Sequence, residues 1–245
     1  MAKNKVAELT TTDDTTGGFG LTEQLHDSTE TAIMQEASAL LKALGLIETQ
    51  IEGLIEVRCI SPAGGKPRQF WYAQVDELQA DRERLQQLND SGYGIYFGVA
   101  TRDKRAGSKQ DLKTLYTVHA DLDAKDFDAA NWRAGKQTAL YMLDNLPSRL
   151  EPNLLVDSGH GIHCYWPLVA PLPATPENIA AVEAVNAALA EFLGSDPAVK
   201  DASRVMRLPG FRNTKYTDEN LPVTLLGDAI PYNWLLSDFA PIMPA

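Results

Sequence analysis

The stretch Tyr116-Thr117-Val118-His119-Ala120-Asp121-Leu122-Asp123 decides how the rest of this 245-residue chain reads. Its β-branched and apolar residues predict a strand, and in a strand side chains two apart share a face. Asp121 and Asp123 therefore stand side by side, while Leu122 points the other way. Two carboxylates that close repel each other unless a cation lies between them. Oxygen-only ligands suit magnesium or manganese, not zinc. The plainer alternative for the pair alone is an ordinary strand end followed by a turn.

The surrounding sequence supplies the means to choose. Glycines at 159 and 161 bracket His160 in Asp157-Ser158-Gly159-His160-Gly161. Such a turn lets the backbone take positive φ and approach a ligand, and its amides can bind an anion. In the strand that follows, Ile162, Cys164 and Trp166 form an apolar face. His163 and Tyr165 share the other, which aims an imidazole at the same side as a bound phosphate. Further on, Asp196-Pro197-Ala198-Val199-Lys200-Asp201-Ala202-Ser203-Arg204-Val205-Met206-Arg207-Leu208-Pro209-Gly210-Phe211-Arg212-Asn213-Thr214-Lys215 adds a third carboxylate, Asp201, and a run of bases.

The net charge is −11, unusual for a protein that meets nucleic acid. The distribution matters more than the sum. Residues 1–56 hold ten acids and three bases, whereas Arg102, Lys104, Arg105, Lys109 and Lys113 crowd one loop and Lys200, Arg204, Arg207, Arg212 and Lys215 another. The loop over 101–113 either folds over a phosphate or is a solvated excursion. The two cysteines, Cys59 and Cys164, exclude a disulfide scaffold and a Cys-rich zinc module. No run of residues is apolar enough for a membrane span and no leader pattern opens the chain, so a cytoplasmic setting is expected.

Outward from the aspartate strand, residues 1–27 read as a disordered tail and 28–245 as one domain. That domain has an N-terminal α/β part (28–92) and a catalytic sheet (93–245). Ser28 or Thr29 caps a helix with apolar face Ile33, Ala37, Leu40, Leu41 and Leu44, ending at Gly45. Strands are expected at 54–60, 69–73, 95–99, 115–122, 153–156, 162–168, 205–208 and 223–226. Helices are expected at 76–88, 126–145, 176–193 and 232–239. Without strict βαβ alternation the class is α+β, a mostly antiparallel sheet with packed helices.

The order Asp-x-Asp, Ser-Gly-x-Gly-x-His, then Asp followed by Arg-Val-x-Arg-Leu-Pro-Gly-x-x-Asn-x-Lys resembles the archaeo-eukaryotic primase superfamily. The likeness is to its branch of plasmid replication primases and phage primase-polymerases, and it spans roughly residues 50–230. His160 stands where glycine is common and Phe211 where threonine is common. The resemblance implies an RNA-recognition-like catalytic sheet and template-directed nucleotidyl transfer with a two-metal magnesium or manganese site and no zinc. It implies Asp121, Asp123 and Asp201 as metal ligands, with Asp196 in reserve for the third. It implies His163 and Ser158, with Gly159 and Gly161 in their turn, at the phosphates. Arg204, Arg207, Asn213 and Lys215 would line the nucleotide or template side. Single-stranded DNA template, NTP or dNTP substrates and a replicative helicase module in cis or trans are the implied partners. Tyr165, Phe211 and Trp71 are candidates for base stacking, with core packing as the alternative for each. Two rival functions stand beside this one. A relaxase-type nuclease would use His160, His163 and a Tyr165 nucleophile, and a non-catalytic module would bind single strands without metal or nucleotide.

Overall fold

The computed structural model describes residues 35–45, 52–147, 149–216, 219–227 and 233–244. The expected tail 1–27 and the cap and start of the first helix lie outside them. Two antiparallel sheets face each other. The first has the order β2-β1-β3-β8 and the second β4-β5-β7-β6-β9. The strands are β1 (Ile55–Ile60), β2 (Arg68–Tyr72), β3 (Gly94–Gly98), β4 (Ala100–Arg102), β5 (Leu112–Asp123), β6 (Leu154–Asp157), β7 (Gly161–Pro173), β8 (Val205–Arg207) and β9 (Thr224–Leu226). The helices are α1 (35–43), α2 (Val75–Ala80), α3 (Arg82–Asp90), α4 (Trp132–Asp144) and α5 (Pro176–Phe192). The α+β, antiparallel expectation holds. The strands divide between two sheets, and the expected 28–92 and 93–245 parts both contribute to the first of them.

Alternation along β5 and β7 builds two cores. Val118, Ala120, Leu122, Ile162, Cys164 and Trp166 pack with α4, α5 and the 3₁₀ segment Leu236–Ile242. Tyr165, Val156 and Leu154 face the other way, into a core shared with Val57, Ile95, Phe97 and the α1 residues Ala37, Leu40 and Leu41. Of the predicted α1 face, Ala37, Leu40, Leu41 and Leu44 are buried, Ile33 lies outside the described residues, and Gly45 closes the helix at φ +77°. Tyr165 and Phe211 are core residues, not stacking platforms; Trp71 is half-buried on β2.

Local polar chemistry moved several boundaries. The expected helix 76–88 is two helices separated at Asp81, whose carboxylate accepts from the Tyr72 hydroxyl at 2.8 Å. The expected helix 126–145 begins only at Trp132. Asp128 Oδ1 accepts from the amides of Ala130 and Asn131, and Asn131 then caps the helix through the Ala134 amide. Short polar side chains that bond nearby amides favour turns and caps over helix interior. The last expected helix is 3₁₀ and lies at Leu236–Ile242. The basic loop carries a short strand, β4, that sequence reading missed, and a 3₁₀ turn at Lys109–Asp111.

One buried ion pair ties the sheets together. Arg102 and Glu56 both have fully buried side chains, with Arg102 Nη2 at 2.8 Å from Glu56 Oε2. The same Nη2 donates to Ser203 O at 3.0 Å, just ahead of Arg204. Beyond β4, the edge of β5 is covered by α5. Asn186 Oδ1 accepts from the His119 amide at 2.9 Å, and Asn186 Nδ2 donates to Lys200 O at 3.0 Å. No helix among the described residues is long and apolar enough to cross a membrane. Removing one member of a buried pair strands the other charge in the core. Arg102→Ala is therefore expected to lower the unfolding free energy by about 3–5 kcal/mol, measured as a fall in the urea midpoint at unchanged m-value.

Candidate active site

The register of β5 against β7 sets Asp121 opposite His163 and Asp123 opposite Gly161. The two aspartates thus share one face with His163, as the two-residue spacing predicts. His163 Nε2 lies 3.8 Å from Asp121 Oδ1. Across the cleft, Arg207 on β8 and Arg204 just before it approach from the opposing sheet. A polar cleft of about 290 Å³ is lined by these five residues and by Tyr96, Ser158, Gly161, Asn213, Lys215 and Tyr216, among others.

The electrostatics are those of a site built for a charged ligand. Burial pushes the Asp121 carboxyl above its ordinary range. Arg204 opposes that shift, Asp123 adds to it, and Arg207 opposes it. Burial lowers the Arg207 guanidinium, and its Nη1 is buried without a hydrogen-bond partner. The guanidinium lies over the Tyr96 ring at 4.8 Å. A buried cationic N–H without an acceptor awaits an anion, and a carboxyl raised by burial beside another carboxylate awaits a cation. Asp121 and Asp123 therefore offer oxygen donors of the kind a divalent metal takes. Lys125 Nζ lies 2.5 Å from Asp123 Oδ2.

Asp201 is elsewhere. Its carboxylate pairs with Lys109 at 3.0 Å, and Lys109 also holds Glu183 at 2.6 Å. Asp196 is exposed and accepts from the Ala198 amide at 2.8 Å. Among the described residues no group of three or more His, Cys, Asp or Glu converges to hold a metal. The basic loop is fastened down: Lys104 pairs with Asp111, which also accepts from the Ser108 hydroxyl and amide. Lys109 lies on acids, so neither lysine is turned to a phosphate.

The glycine turn has its own internal order. Gly159 sits at φ +97°, as only a residue without Cβ readily does. Gly161 matters for another reason: a Cβ there would lie 2.5 Å from Leu122 O, so the turn closes tightly on the end of β5. The Ser158 hydroxyl donates to Gly161 O at 3.0 Å, and the Gly159 amide donates to Asp157 Oδ1 at 2.9 Å. Asn213 Nδ2 donates to Ser158 O at 2.8 Å. These groups shape the turn instead of standing free for a ligand.

Comparisons with known proteins bear on the fold. The family model described as RepB DNA-primase N-terminal domain matches residues 169–226. A curated replication protein of Clostridium perfringens is 26% identical over 175 residues, 69% of this chain and 39% of that protein. The chain thus spans about two fifths of that relative's length. Among solved structures, the AEP domain of the cyanophage S-2L primase-polymerase superposes with a TM-score of 0.60 at 18% identity, covering 86% of this chain and 97% of that one. Primase RepB′ superposes at 0.53 and 17% identity, covering 80% and 56%. The RepB′ catalytic domain in complex with initiator DNA gives 0.53 at 18%, covering 80% and 85%. The fold is that of an archaeo-eukaryotic primase domain. Within this primase fold, the aspartate pair and His163 occupy one sheet and the Arg-Val-Met-Arg strand the other.

Sequence reading missed the supports of the cleft. Lys136 Nζ reaches both Asp157 oxygens, at 3.0 and 2.8 Å, and Gly159 O at 3.1 Å, so helix α4 holds the glycine turn. Its approach depends on Gly135, where a Cβ would meet Ala124 O at 2.1 Å. A glycine inside a helical pattern was the available signal. His160 is clasped between Trp132 and Tyr216, with ring centroids 4.3 and 4.0 Å apart, and its Nε2 is 2.8 Å from Glu219 Oε2.

Two histidines near the aspartates are buried and neutral. Burial, aided by Arg207 and Arg204, pushes His163 down to about 3. Burial, aided by Arg204 and His163, does the same to His119. Between the unfolded value near 6.5 and the folded value, only the unfolded chain binds these protons. Stability is therefore lost as pH falls below about 6.5. Urea denaturation between pH 6.5 and 5 is expected to show a loss of up to about 1.4 kcal/mol per pH unit for each histidine, partly offset by the raised Asp121 carboxyl, which takes up its proton in the folded state first. His163→Gln is expected to make that slope shallower.

Proposed function

We propose that this chain is a template-directed nucleotidyltransferase, a DNA primase whose site also extends primers on single-stranded DNA, in plasmid or phage replication. The observation that carries the reading is the cleft itself: two carboxylates and a histidine on one sheet, facing two arginines on the other. Asp121 and Asp123 would hold divalent magnesium or manganese, whereas Asp201 is held by Lys109 outside the cleft lining. When bound, such ions lower the pKa of a 3′-hydroxyl and offset charge on the phosphates.

The chain's own groups do the rest. Arg207 offers an unpartnered N–H to a phosphate oxygen, and Arg204 adds positive charge at the same wall. His163 is uncharged. The Tyr165 hydroxyl lies 3.4 Å from its Nδ1. With that hydroxyl donating, the ring proton rests on Nε2, the atom nearer Asp121, from which it can meet a phosphate oxygen. Lys136 and Asn213 hold the turn that presents this strand, so little reorganisation accompanies binding. The relaxase alternative needs an accessible tyrosine nucleophile at 165, and that side chain is fully buried. The non-catalytic alternative leaves the raised Asp121 carboxyl and the unpartnered Arg207 nitrogen without a purpose.

The test is primer-free synthesis on circular single-stranded DNA, with NTPs or dNTPs and with magnesium or manganese. Asp121→Asn with Asp123→Asn is expected to reduce product about 1,000-fold or more, with the fold intact by circular dichroism. Undiminished synthesis would falsify the assignment. A second variant separates holding from touching. Lys136→Met, which loosens the turn without removing a group from the cleft, is expected to raise KM for nucleotide about tenfold and to spare most of kcat.

A further inference from the structure

The cleft has a third side, the segment after β8 that supplies Asn213, Lys215 and Tyr216 to its lining. None of these three residues lies in a helix or strand. Single contacts hold them instead. The Asn213 amide donates to Leu221 O at 2.8 Å, and the Lys215 amide donates to Asn213 Oδ1 at 3.0 Å. The exposed Lys215 carries its Nζ 5.3 Å from the centre of the Tyr216 ring, so the place of this cation depends on where that ring is held.

His160 holds the ring. Its carbonyl accepts from the Ala124 amide at 2.9 Å, which fixes its backbone directly after the aspartate pair. Its imidazole is inserted between Tyr216 and Trp132, the first residue of α4, with ring centroids 4.0 and 4.3 Å away. Glu219 closes the cluster. Its Oε2 is 2.8 Å from His160 Nε2, and its Oε1 accepts from Trp132 Nε1 at 3.3 Å. His160 Nδ1 is buried without a partner, so the ring proton belongs on Nε2, which the carboxylate faces. Burial keeps the ring neutral against the pull of Glu219. One imidazole thus joins the glycine turn, helix α4 and the segment after β8.

We infer that His160 is a positioning residue for nucleotide binding: through Tyr216 it sets the Lys215 ammonium at the cleft wall, where that charge meets a triphosphate oxygen. The inference rests on the nucleotidyl-transfer reading. The physical effect is pre-organisation, because a lysine beside a clamped ring has fewer arrangements to lose when its ligand arrives. A glycine, common at this position in the family the sequence resembles, has no ring to stack. The device is therefore this chain's own.

The experiment uses the full chain and two readouts. Hydrogen–deuterium exchange without metal or nucleotide follows the Asn213 and Lys215 amides. Fluorescence anisotropy of a labelled nucleoside triphosphate with manganese gives Kd. His160→Ala is expected to speed exchange at both amides about tenfold and to raise Kd about tenfold. His160→Phe keeps the stack and is expected to bring both back to within about threefold of the wild type. Lys215→Ala is expected to weaken binding in the wild-type background and to add less than about twofold on top of His160→Ala, because the two act through one contact. Circular dichroism and thermal unfolding check the fold. Should His160→Ala not fold, Tyr216→Leu, which removes the ring from the open side of the stack, carries the same expectations. Wild-type exchange and affinity in His160→Ala, or an undiminished Lys215→Ala effect in that background, would overturn the inference alone. A wild-type chain that binds no nucleotide would overturn the nucleotidyl-transfer reading and the inference with it.

Discussion

The buried pair between Glu56 and Arg102 is the constraint on which the cleft depends. The two sheets carry opposite walls of the cleft, acids on one and arginines on the other. Their relative position must hold to a fraction of an ångström for either half to matter. Arg102 leaves β4 in the second sheet, meets Glu56 from β1 in the first, and then grips the peptide of Ser203. Arg58 and Gln69 complete the Glu56 carboxylate from β1 and β2. Against hydrophobic residues of similar volume, such a pair adds little stability. It does fix one geometry, because a charge without its partner in that interior is costly.

Given that frame, the cleft keeps its charges apart. Among the described residues no ion pair joins Arg204 or Arg207 to Asp121 or Asp123. Burial resists ionisation of the Asp121 carboxyl and lowers the Arg207 guanidinium. Asp121 and Arg207 thus keep capacity for a ligand of the opposite sign, while Asp123 accepts from the Lys125 amide and ammonium. The supports, by contrast, are fully engaged: Lys136 with Asp157, Asn213 with Ser158, Ser158 with Gly161. This division between saturated scaffold and unsaturated site is what pre-organisation means in physical terms.

Much of this was legible in the chain. The alternation around Asp121 and His163 fixed which residues shared a face, because a strand has period two. The apolar set Ile162, Cys164 and Trp166 was placed correctly for the same reason. What could not be read were distances between segments far apart in sequence. Asp201 follows the motif order but is drawn to Lys109, a contact that local pattern does not encode. The separation into two sheets depends on β1 pairing with β3, a register set by packing. Boundaries moved where Asp81, Asp128 and Asn131 bonded nearby groups. The comparisons carry the fold at identities too low to carry residue roles, so those roles rest on the geometry.

The arrangement at the edge of β5 has a consequence for how the protein keeps its own copies apart. Past β4, the strand bearing both aspartates has no neighbouring strand on one side among the described residues, and α5 shields it through Asn186. A chain trimmed back before α5 would present that bare margin to solvent. Strands of other molecules could then dock there and grow stacked assemblies. The helix therefore acts as a guard against self-association as well as a packing element, and it covers the strand that carries the aspartate pair.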